Sequence, residues 1–196
     1  MSYANFKFIN YPDVEETSDD LYRFVQEKTS ILEKKLFWNK VNVSGIYQYV
    51  PRILKFFTKL KFYPLRCSFL YIDKDSAAES HIHVDSVDES KTVRVLFPVY
   101  GCAGSKTKFY QIDRSKLFST QLSNGIPFYD YPREAEYTLL NEVELVKPIL
   151  FDASVAHSVH INQNFPGPRI TFTILFFQDL KKYLHNDFND PSSKWI

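Results

Sequence analysis

Three observations predict an α+β fold, mainly β, in which an antiparallel sandwich or jelly roll carries N-terminal helices over one outer face. Helical periodicity is confined to the first third of the chain, period-two alternation dominates from Arg66 onward, and no helical pattern separates the later strands as a parallel sheet would require. The 196 residues are 44% apolar, sufficient for one buried core, and 18 Phe against five Gly predict an interior of packed rings. A single domain over 1–196 is expected, with helical support at about 1–62 and a strand core at about 66–180.

The first helix is expected from about 18 to 37. Thr17, Ser18, Asp19 and Asp20 offer side-chain acceptors to the unpaired N–H groups of a first turn, and Leu21, Phe24, Val25, Ile31, Leu32 and Leu36 then fall on one stripe. A second helix should begin near Pro51, which suits the first helical position, with Ile53, Leu54, Phe57 and Leu60 on one side. Strands are expected at CSFLYID, HIHVD, TVRVLFPVY, KTKFYQI, PILFD and RITFTILFF, which are rich in β-branched and aromatic residues. The stretch from Arg114 to Glu136, with Gly125, Pro127 and Pro132, lacks clear periodicity and is either a lid or a surface excursion.

The charges, 24 basic and 23 acidic side chains, are scattered without a block of one sign, so a nucleic-acid partner is not indicated. Lys106, Lys108, Arg114 and Lys116 form a loose basic stretch of the kind that is usually a solvated face. No apolar run is long enough to cross a bilayer and the start resembles no secretory leader, which makes the cytoplasm the expected location. Cys67 and Cys102 belong to no Cys-x-x-Cys pair and are expected to be core thiols.

Candidate chemistry begins at HIHVD. On a strand, His81, His83 and Asp85 project to one face and Ile82 and Val84 to the other, and neutral imidazole with carboxylate is a good donor set for a divalent metal. Far along the chain, a turn carrying His157 and His160 is followed by a strand opening with Arg169, where Arg169, Thr171 and Thr173 share one face. A His-x-Asp, a distant histidine and an arginine twelve residues beyond it make the order expected of a facial triad beside an anion clamp, since guanidinium can grip a carboxylate bidentately. His160 competes with His157 as third ligand, and Arg94 competes with Arg169 as anion anchor.

With these pieces in order, the chain resembles the iron(II) and 2-oxoglutarate-dependent oxygenases, in their prolyl-hydroxylase-like or small phage-type branches. The resemblance spans roughly Arg66 to Leu180 and rests on HVD at 83–85, LFPVYGCAGSKTKFY at 96–110, PILFDASVAHSVHIN at 148–162 and RITFTILFF at 169–177. It implies a double-stranded β-helix, a jelly roll with iron held at its mouth by His83, Asp85 and His157. It further implies 2-oxoglutarate bound by Arg169, with Thr171 and Tyr71 assisting; His81 and Arg94, by their own places on the strand patterns, are pocket candidates, Arg94 as rival anchor or as a contact to substrate. The glycine-rich turn common in the prolyl-hydroxylase branch is replaced here by Ala103-Gly104-Ser105-Lys106-Thr107.

The implied activity is hydroxylation of a small-molecule or peptide substrate with release of succinate and carbon dioxide. Two alternatives stand beside it: a non-catalytic jelly-roll binding or viral structural protein, and a cupin-like metalloprotein that uses no 2-oxoglutarate.

Overall fold

A computed structural model describes residues 4–35, 37–73, 81–85, 92–121, 127–185 and 194–196. Within them the protein is α+β and mainly β, with two antiparallel six-stranded sheets. The first sheet runs in the order β1 (Phe6–Phe8), β10 (Ile149–Asp152), β5 (Val93–Tyr100), β12 (Arg169–Phe176), β3 (Pro64–Ile72), β2 (Trp38–Val41). The second runs β7 (Phe118–Gln121), β8 (Pro127–Asp130), β4 (His83–Val84), β11 (Ala156–His160), β6 (Lys106–Ile112), β9 (Tyr137–Glu144). From β3 to β6, and again from β9 to β12, the chain passes from one sheet to the other at every strand.

The N-terminal region departs from the expected pair of helices. Helix α1 spans Val14–Lys28, starting ahead of the Thr17-Ser18 pair because Asp13 takes the N-cap position, and Thr29, in extended conformation, ends it. A one-turn α2 (Ile31–Lys34) follows and closes on Lys35 in the left-handed region, so the chain leaves helical geometry before Phe37. Leu36, counted on the expected helical stripe, lies outside the described residues. The chain then forms β2 instead of more helix, and α3 (Val43–Tyr49) is capped by Asn42, whose side chain accepts from the Ser44 N–H at 3.0 Å. Helix α4 (Pro51–Lys59) begins on its proline as expected.

Phase within the strands separates two cores. Ile170, Phe172, Ile174 and Phe176 of β12 join Phe69 of β3 and Val95 and Phe97 of β5 in a cluster that also holds Phe24, Ile53 and Phe57 of the helices. Phe24 stacks on Phe69 with centroids 6.0 Å apart, and Phe57 meets Phe176 at 5.1 Å. The opposite phase of the first sheet contributes Leu96, Ile149 and Phe151 to a second cluster with Phe109 and Val143 of the second sheet. The candidate site lies on this inter-sheet side.

Two further expectations change. The segment 114–136 is not structureless: it holds a short 3-10 turn, Arg114–Lys116, and β7 paired with β8, which extends the second sheet beside β4. Residues 122–126, including Gly125, lie outside the described residues. His157 and His160 sit on a strand, β11, and not in a turn. Both cysteines are buried and free, and burial pushes the Cys67 thiol up to about 12. Among the described residues no helix is long and apolar enough to cross a membrane.

Candidate metal centre

Antiparallel pairing of β11 with β4 sets His157 directly opposite His83. Their rings lie 4.4 Å apart between centroids, tilted by 54°. Each imidazole has its Nδ1 against a carbonyl two residues earlier: His83 Nδ1 is 3.1 Å from the His81 oxygen, and His157 Nδ1 is 2.8 Å from the Val155 oxygen. An N–H at Nδ1 satisfies those carbonyls, so the hydrogen-bond pattern assigns the tautomer that leaves each Nε2 with a free lone pair. This backbone hold on the distal nitrogen is what orients a histidine ligand in metal sites.

Asp85 completes the group just past the end of β4. Its N–H donates to the Ala153 carbonyl at 3.1 Å, tying the residue to the turn before β11. Its Oδ1 stands 3.6 Å from His83 Nε2, while Oδ2 accepts from Arg94 Nη1 at 2.7 Å. One oxygen is therefore held by a guanidinium and the other faces the histidines. Ligand atoms of His83, Asp85 and His157 all lie within 4.8 Å of one another, close enough to serve one ion after modest side-chain rotation. Two imidazole nitrogens and one carboxylate brought together by the β4–β11 pair are a donor set that suits a divalent transition metal.

The electrostatics suit ligation. Burial by itself would raise the Asp85 carboxyl, but Arg94, His157 and His83 outweigh it and hold the group below its ordinary value. Burial, followed by the neighbouring His83, pushes His157 down to about 4, so its ring is neutral at physiological pH. Phe151 meets the His157 ring edge-on at 5.7 Å, and Phe128 meets His83 at 6.0 Å, restricting both imidazoles by packing.

Arg169 opens β12 and is 2% exposed. Its Nη2 lies 3.4 Å from Thr107 Oγ1, its Nε has no partner, and among the described residues no carboxylate meets it. Burial disfavours its charged form, with only Cys102 opposing. It lines one cavity together with His83, Asp85 and His157, walled by Trp38 and Phe151. A buried cation without a counter-ion, facing a cavity, is a ready receptor for an anion.

The remaining candidates divide. Thr171 lies on the Arg169 face of β12, and its buried Oγ1 has no partner among the described residues. Arg94 is brought to the site, at Asp85. Tyr71 is not: it pairs opposite Ile170, on the helix-side phase of β3, and its hydroxyl reaches Asp73 at 3.4 Å. His81 turns away to Asp130, 3.2 Å from its Nδ1, and to Arg133. His160 falls on the other phase of β11 from His157 and contacts Ser158 Oγ at 3.0 Å. Lys106 of the basic stretch is paired with Glu142 across β6 and β9. Trp38 and Arg66, absent from the sequence-based candidates, also reach this region: the Arg66 and Arg94 guanidinium carbons each lie 5.5 Å from the Trp38 ring centroid. No protein-family model matches the chain, and no curated protein matches it.

Proposed function

We propose that the protein is an iron(II)- and 2-oxoglutarate-dependent oxygenase whose metal is held by His83, Asp85 and His157 and whose cosubstrate is anchored by Arg169. The observation that carries this reading is the meeting, in one cavity between the sheets, of three convergent metal donors and a buried guanidinium that no carboxylate meets among the described residues. The strand order supports the finer fold reading, a double-stranded β-helix, because β10-β5-β12-β3 and β4-β11-β6-β9 form two four-stranded layers that the chain fills alternately. The ring contacts of Phe24 with Phe69 and of Phe57 with Phe176 support helices lying on the outer face of the first sheet.

When bound, the iron and cosubstrate supply oxidation of a substrate C–H bond coupled to decarboxylation of 2-oxoglutarate to succinate. The chain's own residues bind, orient and exclude water. The carbonyls of His81 and Val155 fix both imidazoles with Nε2 inward, and Arg94 keeps Asp85 ionised and turned so that one oxygen remains for the metal. Arg169 can present two parallel N–H donors to a carboxylate, and Thr171 adds a hydroxyl on the same face. Phe109 and Phe151 dry the wall beside His157, which strengthens each of these polar contacts.

Anaerobic titration with iron(II), followed by assay of succinate from 2-oxoglutarate in air, tests the reading. Stoichiometric iron and succinate release are expected. Iron binding that 2-oxoglutarate does not tighten would favour a metalloprotein without cosubstrate, and indifference to both would favour a non-catalytic binding module.

A further inference from the structure

The inner face of the first sheet carries a second cationic feature beyond Arg169. Arg66 on β3 and Arg94 on β5 both stand against Trp38, each guanidinium carbon 5.5 Å from the ring centroid. The indole thus serves as a common wall to two cations. Arg94 is buried, gives Nη1 to Asp85, and has an Nε with no partner among the described residues. Arg66 is half-buried, and among the described residues no carboxylate stands within ion-pair reach of it; burial and the nearby Arg94 work against its charge, with the more distant Asp85 opposing them in part. Ser68 and Thr173, opposite one another on β3 and β12, lie two residues along the same phase from Arg66, and among the described residues their buried hydroxyls also have no partner. Cations and hydroxyls left unsatisfied on one face are costly unless something binds them.

Charge indicates what that is. Arg66, Arg94 and Arg169 face the inter-sheet space with Asp85 as their counterweight, an excess of two positive charges among the described residues. A divalent ion and a dianionic cosubstrate cancel one another and leave that excess in place. We propose that Arg66, Arg94 and Trp38 form a second anion subsite, beside the metal centre on the side of Asp85, that receives a carboxylate of the substrate. The donors of Arg66 and Arg94 match a planar two-oxygen anion in kind, and an anion that entered beside the half-buried Arg66 would meet the buried Arg94 Nε and the Ser68 and Thr173 hydroxyls only after side-chain movement. The inference rests on the oxygenase reading only in calling the ligand a substrate; the subsite itself requires no metal.

The test uses the full chain in a Trp195→Phe background, where Trp38 is the remaining indole. Acetate is titrated against Trp38 emission at constant ionic strength without metal, with acetamide as the uncharged match and inorganic phosphate as the rival anion. A saturable response to acetate is expected, absent for acetamide. It should weaken at least tenfold in Arg66→Gln and less in Arg66→Lys, both compared in an added Arg169→Gln background that removes the other anion receptor lining the cavity with Trp38. An equal response to acetamide, no saturable response, or an unchanged midpoint in Arg66→Gln overturns the proposal. So does phosphate saturating at tenfold lower concentration than acetate, which would make the site one for phosphate esters. Because no metal is present, failure of the oxygenase reading shows separately, as missing iron binding and succinate release.

Discussion

His83 and His157 face one another across the β4–β11 pair with ring centroids 4.4 Å apart, although 73 residues separate them in the chain. Their Nδ1 atoms are both bonded to backbone carbonyls, so both Nε2 atoms are directed by the strands themselves and not by chance rotamers. Replacing either histidine, or Asp85, with Ala should therefore abolish metal binding while the fold persists. Calorimetric titration with cobalt(II) or iron(II) would read this directly. A variant lacking one of the three that still bound metal stoichiometrically would move the centre elsewhere.

Burial of His157 makes the apo protein sensitive to mild acid. Its folded pKa of about 4 lies below the ordinary 6.5, so between those values the unfolded chain takes up a proton that the native state refuses. The contribution is complete above about pH 6.5 and is lost as pH falls toward 4, an upper bound on the order of 3 kcal/mol. Urea midpoints measured at pH 7 and 4.5 should fall further for the wild type than for His157→Gln. Equal falls would mean that the imidazole is not buried neutral.

Arg169 should show the signature of a functional residue kept at a cost in stability. Among the described residues the buried Arg169 guanidinium has one long contact, to Thr107, and is poorly compensated, so Arg169→Met should leave the melting temperature unchanged or raise it, each kcal/mol being worth roughly 2–4 °C at this size. The same change should weaken 2-oxoglutarate at least a hundredfold. A clear loss of thermal stability would instead make Arg169 a structural residue.

Tyr71 illustrates where sequence reading reaches its end. In β3, Cys67, Phe69 and Tyr71 are buried on one phase while Ser68 and Ile72 are buried on the other, so apolar alternation does not reveal which phase faces the second sheet. Its neighbours Leu70 and Ile72 line the cavity and Tyr71 does not. Tyr71→Phe is accordingly expected to leave 2-oxoglutarate affinity unchanged within about twofold; a tenfold loss would restore it to the site. His83, Asp85, His157 and Arg169 were legible because their order and spacing are features of the chain itself. Trp38 and Arg66 were not, because they meet only through the pairing of a four-residue strand with β3, and β11 was obscured by the small polar residues Ser154 and Ser158 around its histidine. The pairing of β7 with β8 was similarly hidden in a stretch whose alternation is too short to register.

The position of Arg169 also depends on a glycine outside the site. Gly101, between β5 and β6, adopts φ +62°, and a Cβ there would stand 2.3 Å from the Pro168 carbonyl oxygen and 2.7 Å from the Phe165 ring. Both a left-handed conformation and a backbone approach are thus required at one residue. The carbonyl belongs to the residue immediately before Arg169, so the chain cannot yield without moving the start of β12. Gly101→Ala is expected to cost about 2 kcal/mol or more, from left-handed strain together with the clash. It should also weaken 2-oxoglutarate binding with little effect on metal affinity, since β4 and β11 do not share that contact. Denaturant unfolding gives the first quantity and paired titrations with metal and cosubstrate give the second. If both ligands weakened equally, the glycine would be supporting the fold as a whole and not the placement of Arg169.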